Sequence, residues 1–296
     1  MDSAAAGRLW DYALVITATA SLARRIELAE TSLVVGMGRC VAARLGDDDV
    51  IVVPVAGGAA VMPGRGSPLS KVAGLGFEPL DEDALAAVEA EFARFGTPVR
   101  VELSSLGDPS LGKLLSSRGY LLSGFENVLG LPLPSPPSTP SHPASAALTI
   151  ERLPMQDPEE WIRVVTAGFM HPDTFDGPPP IEVIDAQGID LIVRDLTALE
   201  GLSLFLARWD GTVAGGAGMR IAEGVAQLSG AATLPQHRRR GVQTALLGVR
   251  LAAAAQAGCD IAVVTTEPGS KSQANAHRQG FELLYVRAVL IKPASA

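Results

Sequence analysis

The chain has 296 residues, 47% hydrophobic and 19% charged, which excludes a disordered chain and leaves room for two domains or one large α/β unit. No run approaches the ~18 apolar residues of a membrane span, and a formal net charge of -8 argues against nucleic acid as the principal partner, since phosphate contacts need clustered cations. The start carries Asp2, Arg8 and Asp11 without an export pattern, and Cys40 and Cys259 lie far apart in apolar company; the expectation is a cytoplasmic protein with reduced, buried thiols.

In chain order, an opening helix falls within 14–44, followed by strands at 50–55, 58–62 and 72–76 and a helix over 83–95. A strand at 100–103 follows, then a short helix over 108–118 with Asp108 as cap and Pro109 just inside, and a strand from 121 to 131. Residues 131–147 (LPLPSPPSTPSHPASAA) lose every regular apolar pattern, as an extended linker does. The expected division is a first domain over 1–133, a linker over 134–147 and a second domain over 148–296.

The second half opens with a helix over 157–170 carrying Trp161, Val164, Val165 and Phe169. Strands follow at 203–209, 212–221 and 225–234, the first two joined by an Asp210-Gly211 hairpin turn. Val242, Ala245, Leu246, Val249 and Ala253 recur at helical spacing over 242–256, and Gly258 marks the stop. The β-branched run 261–265 is a buried strand, 270–278 a helix ended by Gly280, and 281–291 the closing strand. The same order occurs in both halves, and LSSRGYLL at 115–122 matches AHRQGFEL at 276–283 as helix end, glycine and strand start.

The segment 233–247 (TLPQHRRRGVQTALL) runs from a strand through a basic turn straight into an apolar helix. Unpaired N–H groups at the helix start, its dipole and three arginines favour a phosphate or pyrophosphate. The glycine and lysine pattern of a Walker loop and the three spaced glycines of a dinucleotide fingerprint are both absent. A solvated basic turn shaped by Gly241 is the plain alternative.

This segment resembles motif A of the GNAT acetyltransferases, in which Arg or Gln is followed after two residues by Gly and then, one residue on, by Gly or Ala. Arg238 and Gly241 match the first two positions and Gln243 departs from the third. The resemblance implies an α/β (α+β, mixed-sheet) fold with two GNAT-like acyl-CoA N-acyltransferase domains in tandem, of which the second binds acetyl-CoA. Arg238, Arg239, Arg240, Gly241, Val242, Gln243 and Thr244 would then hold the pyrophosphate. The end of the central strand, Ala232, Thr233 and Leu234, would pair with the pantetheine arm, and Asn275 would join the cofactor set. The first half carries GLGFEPLDE at 74–82 where the second carries arginines, so its turn repels pyrophosphate.

An amine with a pKa near ~10 must lose a proton before it attacks a thioester. Glu267, just beyond the buried strand, is the first candidate base, and Ser229 or Thr266 could hold a water. The family's leaving-group tyrosine would fall at Ala276; Asn275 and His277 stand beside it and Tyr285 lies in the following strand, and the choice of donor among them stays open. In the loop 170–180, Asp173, Phe175 and Asp176 could receive a cationic acceptor. His171 has no partner at ligand spacing, so no metal is expected. The implied partner is a small-molecule or peptide amine, with no nucleic acid or membrane, in a monomer or homodimer. Transfer of a longer acyl group, or a regulator that binds acyl-CoA without turnover, remains open.

Overall fold

The computed structural model describes residues 16–65, 67–133, 146–171 and 184–294, and their strands form one eleven-stranded sheet. The first half contains α1 (Ala20–Leu45), β1 (Ile51–Val55), β2 (Gly58–Met62), β3 (Lys71–Ala73), α2 (Glu82–Arg94), β4 (Val99–Ser104), α3 (Ser110–Ser117) and β5 (Leu121–Pro132). The second contains β6 (Leu148–Leu153), α4 (Glu159–Phe169), α5 (Ala186–Thr197), β7 (Leu202–Trp209), β8 (Thr212–Ala222), β9 (Val225–Thr233), α6 (Val242–Gln256), β10 (Ile261–Thr266), α7 (Lys271–Arg278) and β11 (Glu282–Lys292).

The strand order is β1-β2-β3-β4-β11-β5-β10-β9-β8-β7-β6, so the halves exchange their last strands. β5 pairs with β10 from Ile261↔Pro132 to Thr266↔Asn127, and β11 pairs with β4 from Arg287↔Ser104 to Lys292↔Val99. Between them β5 and β11 run antiparallel, with a bulge at each end of the shared stretch. Each half-sheet is thus completed by a strand of the other.

Two helical layers cover the sheet. On one face α6 and α7 bury Val242, Leu246 and Ala276 with Ala262, Leu129 and Phe281. On the other, α4 seals β8 and β9, with Trp161 donating its indole N–H to the Ala217 carbonyl at 3.1 Å. Side-chain bulk is removed where helix meets strand: a Cβ on Gly168 would lie 2.4 Å from the Ala232 Cβ, and one on Gly216 about as close as 3.0 Å to Val164 and Val165.

α1 ties the halves together. Ala23 and Ile26 pack on Val225, Ile261 and Val128, while farther along Gly38 backs onto Val52 and Val61. Glu30 accepts from Lys71 on β3 at 2.8 Å and from Gln227 on β9 at 3.5 Å. Those strands stand five places apart in the sheet, so it curls around α1. Glu27 accepts at 2.6 Å from the Tyr285 hydroxyl and at 2.8 Å from Arg287, all three buried. Glu102, Arg100 and Glu126 extend the network across β4 and β5.

Lys71 and Arg287 beside it outweigh burial and lower the Glu30 pKa from 4.5 to about 2. A carboxylate whose folded pKa lies below its unfolded value stabilises the fold above pH 4.5 and loses that contribution as pH falls toward 2. The amount is on the order of 3 kcal/mol. Urea unfolding of Glu30→Gln should therefore show a loss of that order at neutral pH and a flatter acid limb than the parent. Parallel acid limbs would mean that Glu30 carries no such linkage.

Three expectations change. The strand expected at 72–76 stops at Ala73, because Gly74 and Gly76 take φ of 82° and 101° and turn the chain away. Helix α5, capped by Asp185, and edge strand β6 had no counterpart in the sequence reading. The short helix begins at Ser110, with Asp108 still accepting from its N–H at 2.8 Å.

Candidate active site

The site begins where the sheet splits. β9 and β10 run parallel and pair only at Val225, Ala226 and Gln227 with Ile261, Ala262 and Val263. Beyond these residues β9 stays with β8 up to Thr233, and β10 stays with β5 up to Thr266. A wedge opens between them, in which the facing backbone groups of β9 have no strand partner among the described residues. A register shift opposite Gly216/Gly218 and the positive φ of Gly230, 60°, place a bulge in β9 at the wedge. A Cβ on Gly230 would lie 3.1 Å from the Trp161 ring.

At the mouth of the wedge the chain passes through a 3-10 turn (Pro235–His237) into α6. Arg239 and Gly241 both take left-handed φ, 61° and 79°, and α6 starts with no side-chain cap and no acid in its first turn. Its leading N–H groups are therefore open to an anion. Among the described residues nothing lies within 4 Å of a Cβ placed on Gly241.

The arginines divide their work. Arg238 folds back, donating from Nε to the Thr233 carbonyl at 3.3 Å and from its terminal nitrogen to the His171 carbonyl, so it braces the turn against β9 and α4. Arg240 lies over the Trp209 ring at 5.1 Å. The Arg239 side chain is exposed at the turn. Val242 is buried beneath it, its methyl 3.0 Å from a Cβ placed on Gly215, while Gln243 and Thr244 are partly exposed in the first turn of α6.

Ala232 and Thr233 are buried on β9, with Leu234 partly buried after them. Thr233 and Thr266, on the two lips of the wedge, are buried, and among the described residues their hydroxyls have no hydrogen-bond partner, nor does Nδ1 of buried His237 in the turn. Ser229 stands beside the bulge, and Glu267 follows β10 directly, partly exposed, its carbonyl accepting from Ser270 N at 3.2 Å. Asn275 is on α7, where its side chain accepts from Arg278.

Tyr285 is not brought to this cleft. It pairs with Val128, which pairs with Thr265, so it stands two strands beyond β10. Its hydroxyl is committed to Glu27, and burial with that carboxylate raises its pKa well above the usual value. Asp173, Phe175 and Asp176 lie outside the described residues.

In the first half the corresponding opening is shut. Past the β3–β4 pair Val72↔Val101, Asp108 donates its N–H to the Gly76 carbonyl at 2.8 Å, and a Cβ on Gly76 would lie 3.3 Å from Gly107. Helix α2 opens with Asp81 capping the Asp83 N–H and with Glu82 and Asp83 in its first turn, so its positive end is already neutralised.

Residues 173–281 match the model of the acetyltransferase (GNAT) family. A GCN5-related N-acetyltransferase from Kribbella flavida superposes with a TM-score of 0.57 at 21% identity, over 87% of this chain and 96% of that one. A tandem GNAT protein from the clavulanic acid biosynthesis pathway superposes with a TM-score of 0.59 at 12% identity, over 88% of each chain. A GCN5-related N-acetyltransferase from Sphaerobacter thermophilus gives 0.51 at 15% identity, over 73% and 67%. The search of curated proteins finds no match. The fold is that of GNAT proteins, two units in tandem. The family-model match lies within the second half of the chain and is consistent with N-acyltransferase activity in general.

Proposed function

We propose that the second unit transfers an acetyl group from acetyl-CoA to a primary amine of a small molecule or peptide, by direct attack in a ternary complex. The observation that carries this reading is the continuity of the β9–β10 wedge with the open start of α6. A ligand with an anionic end and an extended polar arm fits that shape. The unpaired hydroxyls of Thr233 and Thr266 meet a polar arm, whereas an apolar occupant would leave them buried and unsatisfied.

The N–H groups of 241–244 and the Arg239 side chain would hold the pyrophosphate, with the turn braced by Arg238. Ala232 and Thr233 would pair through their backbone with the pantetheine amides. Acetyl-CoA supplies an activated thioester carbonyl. An N–H near the bulge at Gly230 would polarise that carbonyl. Glu267, through a water also held by Ser229, would take the proton from the amine. One such site per chain follows, because the first unit closes its own opening with the Asp108–Gly76 bond. Dependence on acetyl-CoA fits a cytoplasmic setting.

Ala276, in the position of the family's leaving-group tyrosine, favours a second reading: an acyl-CoA-binding regulator without turnover. Release of free CoA thiol from acetyl-CoA, followed against a panel of primary amines, separates the two. Transfer predicts release above hydrolysis for at least one amine class. Tight acetyl-CoA binding with no amine-dependent release would establish the regulator instead.

A further inference from the structure

Thr266 ends β10 with 5% of its surface exposed and an unpartnered hydroxyl. A buried hydrogen bond left unmade destabilises the empty site. Its position explains what could relieve it. Ala262 and Val264 pack toward α6 and α7, so alternation along β10 sets Thr266 on that same face. It lies three residues past the last β9–β10 pair, level with the bulge at Gly230 and about 10 Å along the wedge.

Thr233, on the opposite lip, stands near the mouth. Its ladder partner Gly215 backs onto Val242 of α6, which puts the Thr233 hydroxyl on the same face as that of Thr266. A chain anchored by phosphate at the start of α6 passes Thr233 first and reaches Thr266 with its tip. Two positions where a leaving-group donor would be looked for do not supply one. Residue 276 of α7 is a buried alanine, and the Tyr285 hydroxyl is spent on Glu27.

We infer that the Thr266 hydroxyl donates a hydrogen bond to the sulfur of coenzyme A and holds the leaving thiolate. This rests on the acetyl-CoA reading of the same cleft. In the transfer, the amine lone pair forms the C–N bond, the C–S bond breaks with its electron pair going to sulfur, and the ammonium proton leaves through the Glu267-bound water. A thiol of pKa near ~8.5 departs as the anion without full protonation, so a hydroxyl that only donates a hydrogen bond suffices.

The test compares calorimetric affinities for CoA and desulfo-CoA, in which hydrogen replaces the thiol, at pH 9 where much of the thiol is ionised. Wild type should prefer CoA about tenfold, the scale of a hydrogen bond to an anion. Thr266→Val should bind both ligands alike with its desulfo-CoA affinity unchanged, and Thr266→Ser should restore the preference. A preference retained by the valine variant, or no preference in wild type, would overturn the inference while leaving the acetyl-CoA site standing. Binding of neither ligand to wild type would overturn both.

Discussion

Gly241→Asp is expected to lower acetyl-CoA affinity by at least about 100-fold while the protein stays folded. The turn gives Gly241 a φ of 79°, and among the described residues nothing lies within 4 Å of a Cβ placed there, so the new carboxylate would project where the phosphates sit. Two like charges about 4 Å apart at an effective dielectric near ~20 repel by about 4 kcal/mol, more than the roughly 2.7 kcal/mol that a 100-fold loss requires. Aspartate tolerates left-handed φ and caps helices well, so strain of about 1 kcal/mol is largely offset and α6 persists. Calorimetric titration beside a thermal melt checks both halves. Undiminished affinity would place the anion elsewhere.

Arg287→Met should cost about 3–5 kcal/mol in urea unfolding, because it leaves Glu27 buried without its cation. Arg287 is 1% exposed, and its Nε sits 2.8 Å from Glu27 Oε1. Its pKa is held well above the usual value because Glu27 and Glu30 outweigh burial. The companion Glu27→Gln should return a substantial part of that loss in the double variant, since the buried charge is then gone. Additive losses would show that the two residues act independently of one another. The effect is large because this pair joins α1 to the exchanged strand β11, so both half-sheets loosen when it breaks.

The second half was the more legible. Its strands are long and bounded by turns such as Asp210-Gly211, and the apolar spacing from Val242 to Ala253 fixed α6 at Val242–Gln256 as observed. Helix α5 is masked in the sequence although Ile189, Val193 and Leu196 keep helical spacing, because it follows a proline-rich segment whose composition is that of a loop. The exchange of β5 and β11 had no local signal: pairing partners distant in sequence leave no periodicity. The burial of Glu27 and Arg287 has no local signal for the same reason, since each is neutralised by a residue 260 positions away.

For the site, the basic turn and Gly241 were visible as residue types, whereas the division of labour among the arginines was not. Arg238, expected on the cofactor, also donates to the Thr233 and His171 carbonyls, which brace the turn. Tyr285 was expected as a donor, but strand alternation and the seam place its hydroxyl on Glu27. The unpaired hydroxyls of Thr233 and Thr266 emerge only from burial and from the point at which β9 and β10 part.

The most direct measurement is the stoichiometry of acetyl-CoA binding to the full chain by calorimetry. One micromolar-range site per chain is expected, located in the second unit and abolished by Gly241→Asp. Two sites per chain would contradict the closed opening of the first unit, and no binding at all would contradict the acetyltransferase reading itself.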